Sequence, residues 1–438
     1  MSRYLLLALA ALLGACGGGT DEAPEALGKL DFRPSSAFGF DAVITGLRLG
    51  KEVVDARAPE DGVARAEGYR YLLRQIEMNL AMMTGDHDPL HPSVTRCPSK
   101  NCKLGFDSPD YTYVGANPLS ANYSYRLYGQ RGNAQLILFQ VLERSGGPFK
   151  GTSKTESESL VVAADGSWEI YLGRDKPAQV PDANFLRLSE DQATLLVRIA
   201  HNDWLNTVEP SINIEVVGPA REAIEPFTPM RMAVAGFALS KMIPNQLQRW
   251  VKRLQDAPLN GVDEPCGSWG AYCAGEGGFG NYATGGRYQL ATDEALILEV
   301  PAVPVKFQNI QLGNIWAESL DYANRQTSLN GHQAHLDSDG VYRYVLAHSD
   351  PGVPNWLDIA HHPEGGIFMR WLFPQGDTAP PQPGSKVVPL SELRDHLPAD
   401  TPVVSAVERG EQLKARAAAI NRRRNPAGYA GVQGALEP

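Results

Sequence analysis

The sequence predicts a mainly β protein with helical additions, an α+β chain of two antiparallel β-sandwich or jelly-roll-like modules. An N-terminal helix, a central helical connector and a C-terminal helix complete it. Three observations predict this class. Short apolar runs recur between Gly, Asp and Pro turns, as strands of a sandwich do. The period changes to a helical one in three places only. One hairpin pattern also occurs twice, DGSWEIYL (165–172) with Asn184-Phe185-Leu186, and DGVYRYVL (339–346) with Asn355-Trp356-Leu357. Two related modules would produce that echo, and so would chance recurrence of a common turn.

Taken in order, Met1 to Ala15 has the form of an export signal, with Arg3 before an apolar core and Gly14-Ala15 before a cut. Leu13-Gly14-Ala15-Cys16 matches a bacterial lipobox, which makes Cys16 an acylated N-terminus and the membrane a partner through its lipid. Gly17, in place of an aspartate, directs such a protein to the outer membrane. Residues 16–30 form a polar tether. No later window is apolar for long enough to span a membrane, and a net charge of -10 argues against nucleic acid as partner.

Residues 31–226 hold the N-terminal helix and first β module. The helical pattern runs from Asp55 to Met83, and strands are expected from Tyr123 to Tyr128, Gln135 to Leu142, Ser159 to Ala163, Ser167 to Leu172, Ala193 to Ala200 and Ser211 to Val217. Between helix and strands, residues 85–122 have the composition of a long loop. Residues 227–260 are the helical connector, broken by Pro244. The second β module fills 261–380, with Ile315 to Leu320 and Ile367 to Phe373 among its strands, and 381–438 form a C-terminal helical tail. Arg422-Arg423-Arg424 suits a solvent-facing helix C-terminus. The body's four cysteines fall in local pairs, Cys97/Cys102 and Cys266/Cys273, which an oxidising compartment would close as disulfides. A four-cysteine zinc site is the alternative, at unusual spacing.

The segments DGSWEIYL, NFLRL and LLVRIAHNDW, with QTSLN, DGVYRYVLAHSDPGVPNWLD and GGIFMRW, resemble bacterial proteins of domain of unknown function 1214, related to 1254. The resemblance implies a two-part sandwich-rich fold with helical additions, and no established reaction.

Candidate chemistry concentrates between Ser319 and Trp371, which holds five of the nine histidines. A loop carrying titratable and aromatic groups between strands is a common way to build a site. Tyr342, Tyr344, Asn355, Trp356 and Asp358 are the candidate lining for a small molecule or glycan. His361, His362 and His348, with Glu318 and Asp321, are the candidate acid/base groups of a hydrolase or lyase. His332 and His335, joined by His361 or His362, are the candidate ligands of a divalent metal, the one cofactor the residues suggest. A triad of Ser328 or Ser319 with His348 or His361 and Asp358 lacks the turn that would expose its serine. The expected role is that of a ligand-binding lipoprotein of the envelope, with a periplasmic or surface enzyme and a structural lipoprotein as alternatives.

Overall fold

In the computed structural model, which describes residues 36–424 apart from 59, 86–87, 98–101, 146–148, 219–223, 225, 271–272, 274–280 and 378, each expected β set forms two packed sheets. The export signal, Cys16 and the tether lie outside the described residues. The first set comprises β1 (Val94–Arg96), β2 (Tyr111–Leu119), β3 (Ser124–Gln130), β4 (Leu136–Glu143), β5 (Lys150–Glu156), β6 (Ser167–Gly173), β7 (Phe185–Arg187), β8 (Ala193–Ala200) and β9 (Asn213–Val217). The second comprises β10 (Gly261–Val262), β11 (Asn281–Gln289), β12 (Glu294–Pro301), β13 (Val305–Gly313), β14 (Ser328–Asn330), β15 (Val341–Ala347), β16 (Trp356–Asp358), β17 (Glu364–Pro374) and β18 (Gly384–Pro389).

The sheets run β1-β2-β8-β4-β5 and β7-β6-β3-β9 in the first set, and β10-β11-β17-β13-β14 and β16-β15-β12-β18 in the second. Strand for strand, one order is the other advanced by nine. Both copies share an exception to antiparallel pairing. β7 runs parallel to β6 with Leu186 opposite Leu172, and β16 runs parallel to β15 with Leu357 opposite Leu346. These are positions of the repeated hairpin pattern, so the echo marks a structural duplication.

Period-two alternation decides what each face meets. On β4, Ile137, Phe139 and Val141 point into the first sandwich core, while Leu136 and Leu138 point out of it. On β17, Ile367, Met369 and Trp371 enter the second core, leaving Leu372 on the far side. Leu136, Leu138, Tyr111 and Ala200 then pack on Phe307 and Leu372, so the two five-stranded sheets meet back to back. Each large side chain buried there contributes about 1.5–3 kcal/mol.

Two helices and one loop differ from expectation. The single helix expected from Asp55 to Met83 is two, α1 (Ser36–Arg57) and α2 (Gly62–Thr84), because Asp61 accepts bonds from Val63 N at 2.9 Å and Ala64 N at 3.0 Å and starts a new helix. The connector α3 (Pro229–Asp256) runs unbroken through Pro244, which is buried beside Ile243 and Leu247; packing of that face outweighs the lost bond. Residues 85–122 contain β1 and β2, whose Gly115 and Pro118 mask the strand pattern. Among the expected strands, Ser159 to Ala163 and Ile315 to Leu320 are turns with single bridges. The last helix, α4, spans Ala406–Arg424.

α1 and α3 run side by side in the same direction, Gly39 against Met232 and Ala233, Gly46 against Ser240. A Cβ on Gly39 would stand 2.1 Å from the Met232 carbonyl oxygen, so this crossing requires glycine. Both disulfides are closed, Cys97–Cys102 and Cys266–Cys273.

Candidate functional site

The side chains expected to line a pocket are engaged in architecture. Tyr344 belongs to the second sandwich core, where burial pushes its phenol well above the ordinary value, and Tyr342 stacks on it at 6.0 Å. Trp356 is buried and donates its indole N–H to the Ala347 carbonyl at 3.1 Å. Asp358 is buried against Arg325 at 2.8 Å. Trp204 and Trp371 are buried as well.

Asn355 has a role that its repeat partner explains. Its Oδ1 accepts from His335 N at 2.7 Å and its Nδ2 donates to the His335 carbonyl at 2.7 Å. Asn184 clasps Val161 in the same two-pronged way, at 2.9 and 3.0 Å. Each clamp satisfies the N–H and C=O of one residue beside the parallel strand pair. Replacing either by Leu leaves both groups without that partner and is expected to cost about 1–3 kcal/mol in urea unfolding. The costs in the double variant should add, because the clamps sit in different modules.

The metal candidates do not assemble. Residues 331–334 are a turn, so His332 and His335 do not share a helical face. His332 is exposed, and His335 faces Asp337 at 3.6 Å, a carboxylate already held by Arg343 at 2.9 Å. Among the described residues no group of three or more His, Cys, Asp or Glu side chains could hold a metal. The paper triad also fails. The Ser319 hydroxyl donates to Asp107 at 2.7 Å, and the Ser328 hydroxyl accepts from Arg416 at 2.5 Å.

Of the acid/base candidates, His348 donates to the Leu290 carbonyl at 3.1 Å, His361 is exposed and accepts from Arg325 at 3.2 Å, and Asp321 is an exposed cap on Asn324. Glu318 is fully buried beside Arg74 at 2.9 Å; burial raises its carboxyl above the usual range despite that cation. Nearby, Lys103 donates to the Ser319 and Leu320 carbonyls, burial lowering its ammonium and raising the Asp107 carboxyl.

Among the described candidates, His362 is the histidine within hydrogen-bond distance of a carboxylate. Its Nδ1 donates to the Ile359 carbonyl at 3.1 Å and its Nε2 reaches Glu67 of α2 at 3.0 Å. Glu67 also receives Arg70 at 2.8 Å and Asn314 at 3.1 Å. Burial works against both charges, yet each outweighs that penalty on the other: His362 is held above its ordinary value and Glu67 below. With both ring nitrogens bonded, the imidazolium is a charged clamp of α2 on the second module and has no lone pair for a substrate proton.

The sign of the pH effect follows. A raised histidine contributes fully below its unfolded pKa near 6.5 and loses that contribution as pH rises through the higher folded value. A lowered glutamate contributes above about 4.5 and loses it on acidification. The pair is therefore most effective between those two values. The variant His362→Gln is expected to flatten the alkaline fall of stability just above neutrality, followed by urea midpoints against pH.

Sequence reasoning missed the centre of the junction between modules. Asp110, fully buried, accepts Trp204 Nε1 at 2.9 Å, Asn309 Nδ2 at 2.8 Å and Asn330 Nδ2 at 2.7 Å. Beside it, buried Arg370 donates to Gln311 at 2.6 Å and to the Phe106 carbonyl.

Residues 139–202 match the family model described as a protein of unknown function, DUF1214. Over that segment the chain is similar to the DUF1214 family. It is similar to the solved structure of an uncharacterised protein from Burkholderia cenocepacia, 29% identical, covering 81% of this chain and 97% of that one with a TM-score of 0.73. A Vibrio parahaemolyticus protein, VPA0106, is 13% identical and covers 78% of this chain and all of its own, with a TM-score of 0.43. No curated protein matches. The DUF1214 segment runs from within β4 to just past β8, the unit whose topological copy is β13 to β17.

The other missed residues lie on α4. Arg409, Arg416 and Arg423 are spaced by seven (416 − 409 and 423 − 416), hence on one face, and all three are buried. Arg423 donates to the Pro109 carbonyl instead of pointing to solvent. That spacing was the available signal.

Proposed function

We propose that the chain is a lipid-anchored protein of the bacterial envelope, held at the outer membrane, whose β-rich body with its helical layer binds a ligand without transforming it. The observation that carries this reading is the allocation of cysteines. Of five in the chain, four pair as two local disulfides, and the fifth is Cys16, directly after Leu13-Gly14-Ala15. Structural disulfides persist in oxidising compartments, which export would reach. Among the described residues no helix is long and apolar enough to cross a membrane, so the lipid is the anchor this reading requires.

The engagement of His348, His361, His362, Glu318 and Asp358 with internal partners favours binding over acid–base catalysis. A groove of about 530 Å³ on α3 is lined by Asn245, Gln248, Arg249, Lys252, Arg253, Asp256 and Ser268, so three cations outnumber one acid, which is paired with Lys252 at 2.8 Å. It suits an anionic small molecule or glycan.

The test is expression of the full chain in a Gram-negative host fed labelled palmitate, followed by membrane fractionation. The reading expects label on the protein, recovery with the outer membrane, and loss of both in Cys16→Ser. Unlabelled protein free in the periplasm, or retained in the cytosol, contradicts it.

A further inference from the structure

The helical layer carries an apolar tip that neither sandwich covers. On α1, Phe40 is 61% exposed; on α3, Val234 is 45% exposed, and Phe227 just before that helix is 38% exposed. Because α1 and α3 run in parallel with Gly39 against Met232 and Ala233, Phe40, Phe227 and Val234 all lie toward the same end of the pair. Large apolar side chains gathered this way in water mark a contact surface. Among the described residues, the charges at this end are few: Asp41 is exposed beside Phe40, and Arg231 lies over the Phe227 ring at 5.0 Å and reaches the Gly85 carbonyl at 3.3 Å.

The tip is the end where α1 begins, at Ser36, and 19 residues (36 − 16 − 1) separate Ser36 from Cys16. A segment of that length reaches at most about 65 Å when fully extended, so an acylated Cys16 would hold this end within range of the bilayer. Tethering makes the second contact intramolecular, and side chains too weak to bind lipid alone become sufficient. The net charge of -10 leaves apolar insertion, not attraction to anionic headgroups, as the driving force.

We infer that Phe40, Phe227 and Val234 insert into the lipid leaflet that carries the Cys16 anchor, seating the body with its helical end on the membrane and its sandwiches away from it. This rests on the lipid-anchor reading above.

The experiment uses the full lipidated chain in vesicles of phosphatidylcholine and phosphatidylethanolamine, with an environment-sensitive fluorophore on Phe40→Cys, on Val234→Cys, or on the control Val407→Cys, which is 73% exposed on α4. Nitroxide-bearing lipid should quench positions 40 and 234 several-fold more than 407. A chain that floats with the vesicles yet shows equal, weak quenching at all three is anchored with its body off the membrane, which overturns the inference and leaves the anchor standing. A chain that does not float, with no quenching, removes both. A blue-shifted label at 40 or 234 without vesicles means that residues 17–35 or a second copy cover the tip, and also overturns the inference. Phe40→Ser with Phe227→Ser, which remove exposed side chains and spare the core, should abolish quenching at 234 while flotation persists.

Discussion

Asp110→Ala is expected to lower stability by about 3–5 kcal/mol, the largest effect of any single change considered, because removing one partner of a buried charged network leaves the others uncompensated. Three side-chain donors from separate parts of the chain converge on its carboxylate: Trp204 after β8, Asn309 on β13 and Asn330 on β14. Alanine would leave all three facing an apolar gap and would remove a carboxylate whose charge offsets the burial of Arg416 and Arg423. The variant Asp110→Asn keeps one acceptor and should lose less. Urea unfolding followed by tryptophan fluorescence measures both, since Trp204 is itself a donor.

Arg409→Ala is expected to follow closely, at about 3–5 kcal/mol. The guanidinium donates to Asp350 at 2.9 Å, to Gln326 and Gln412 at 2.8 Å and to the Val353 carbonyl at 2.6 Å, and lies over the Trp356 ring at 5.4 Å. Lysine carries the charge but cannot satisfy a planar array of acceptors, so Arg409→Lys should recover only part of the loss. Two turns further along, Arg416 donates to the Tyr322 carbonyl at 2.5 Å and stacks over Trp204 at 4.4 Å. One turn pair beyond that, Arg423 reaches Pro109 of the first module's approach to β2. Thus α4 straps the second module to the first along one arginine face, and proteolysis of the Arg409→Ala chain should begin by releasing this helix.

The strands were legible where alternation met solvent or a single core. Ser167 to Leu172 alternates in sequence and in burial and is β6; Val341 to Ala347 of β15 was legible too, although Tyr344 and Leu346 enter one core and Val345 and Ala347 another. Strands with two buried faces were harder to interpret. On β13 the outward residues Asn309 and Gln311 are polar, yet both are buried at the junction, so a pattern that suggests a half-exposed strand belongs to a wholly internal one. The histidine-rich stretch was correctly located as unusual, but its residue types do not distinguish a site from a clamp. The reason lies far off in sequence: the partner of His362 is Glu67 and that of Ser319 is Asp107. Asn355 illustrates the reverse case, since its repeat partner Asn184 was visible in the hairpin echo, and the shared role follows from two identical clasps. The arginine face of α4 was equally visible, but buried arginines in place of leucines are not what an amphipathic template seeks.

Calorimetric unfolding of the intact chain tests most directly the claim that duplicated sandwiches are fused into one folding unit by the Asp110 junction and the α4 strap. A single transition is predicted, with calorimetric and van't Hoff enthalpies in agreement, and it should separate into two in the Asp110→Ala, Arg409→Ala double variant. Two well-separated transitions in the unaltered chain would contradict the account, because they would mean that each module folds without the other.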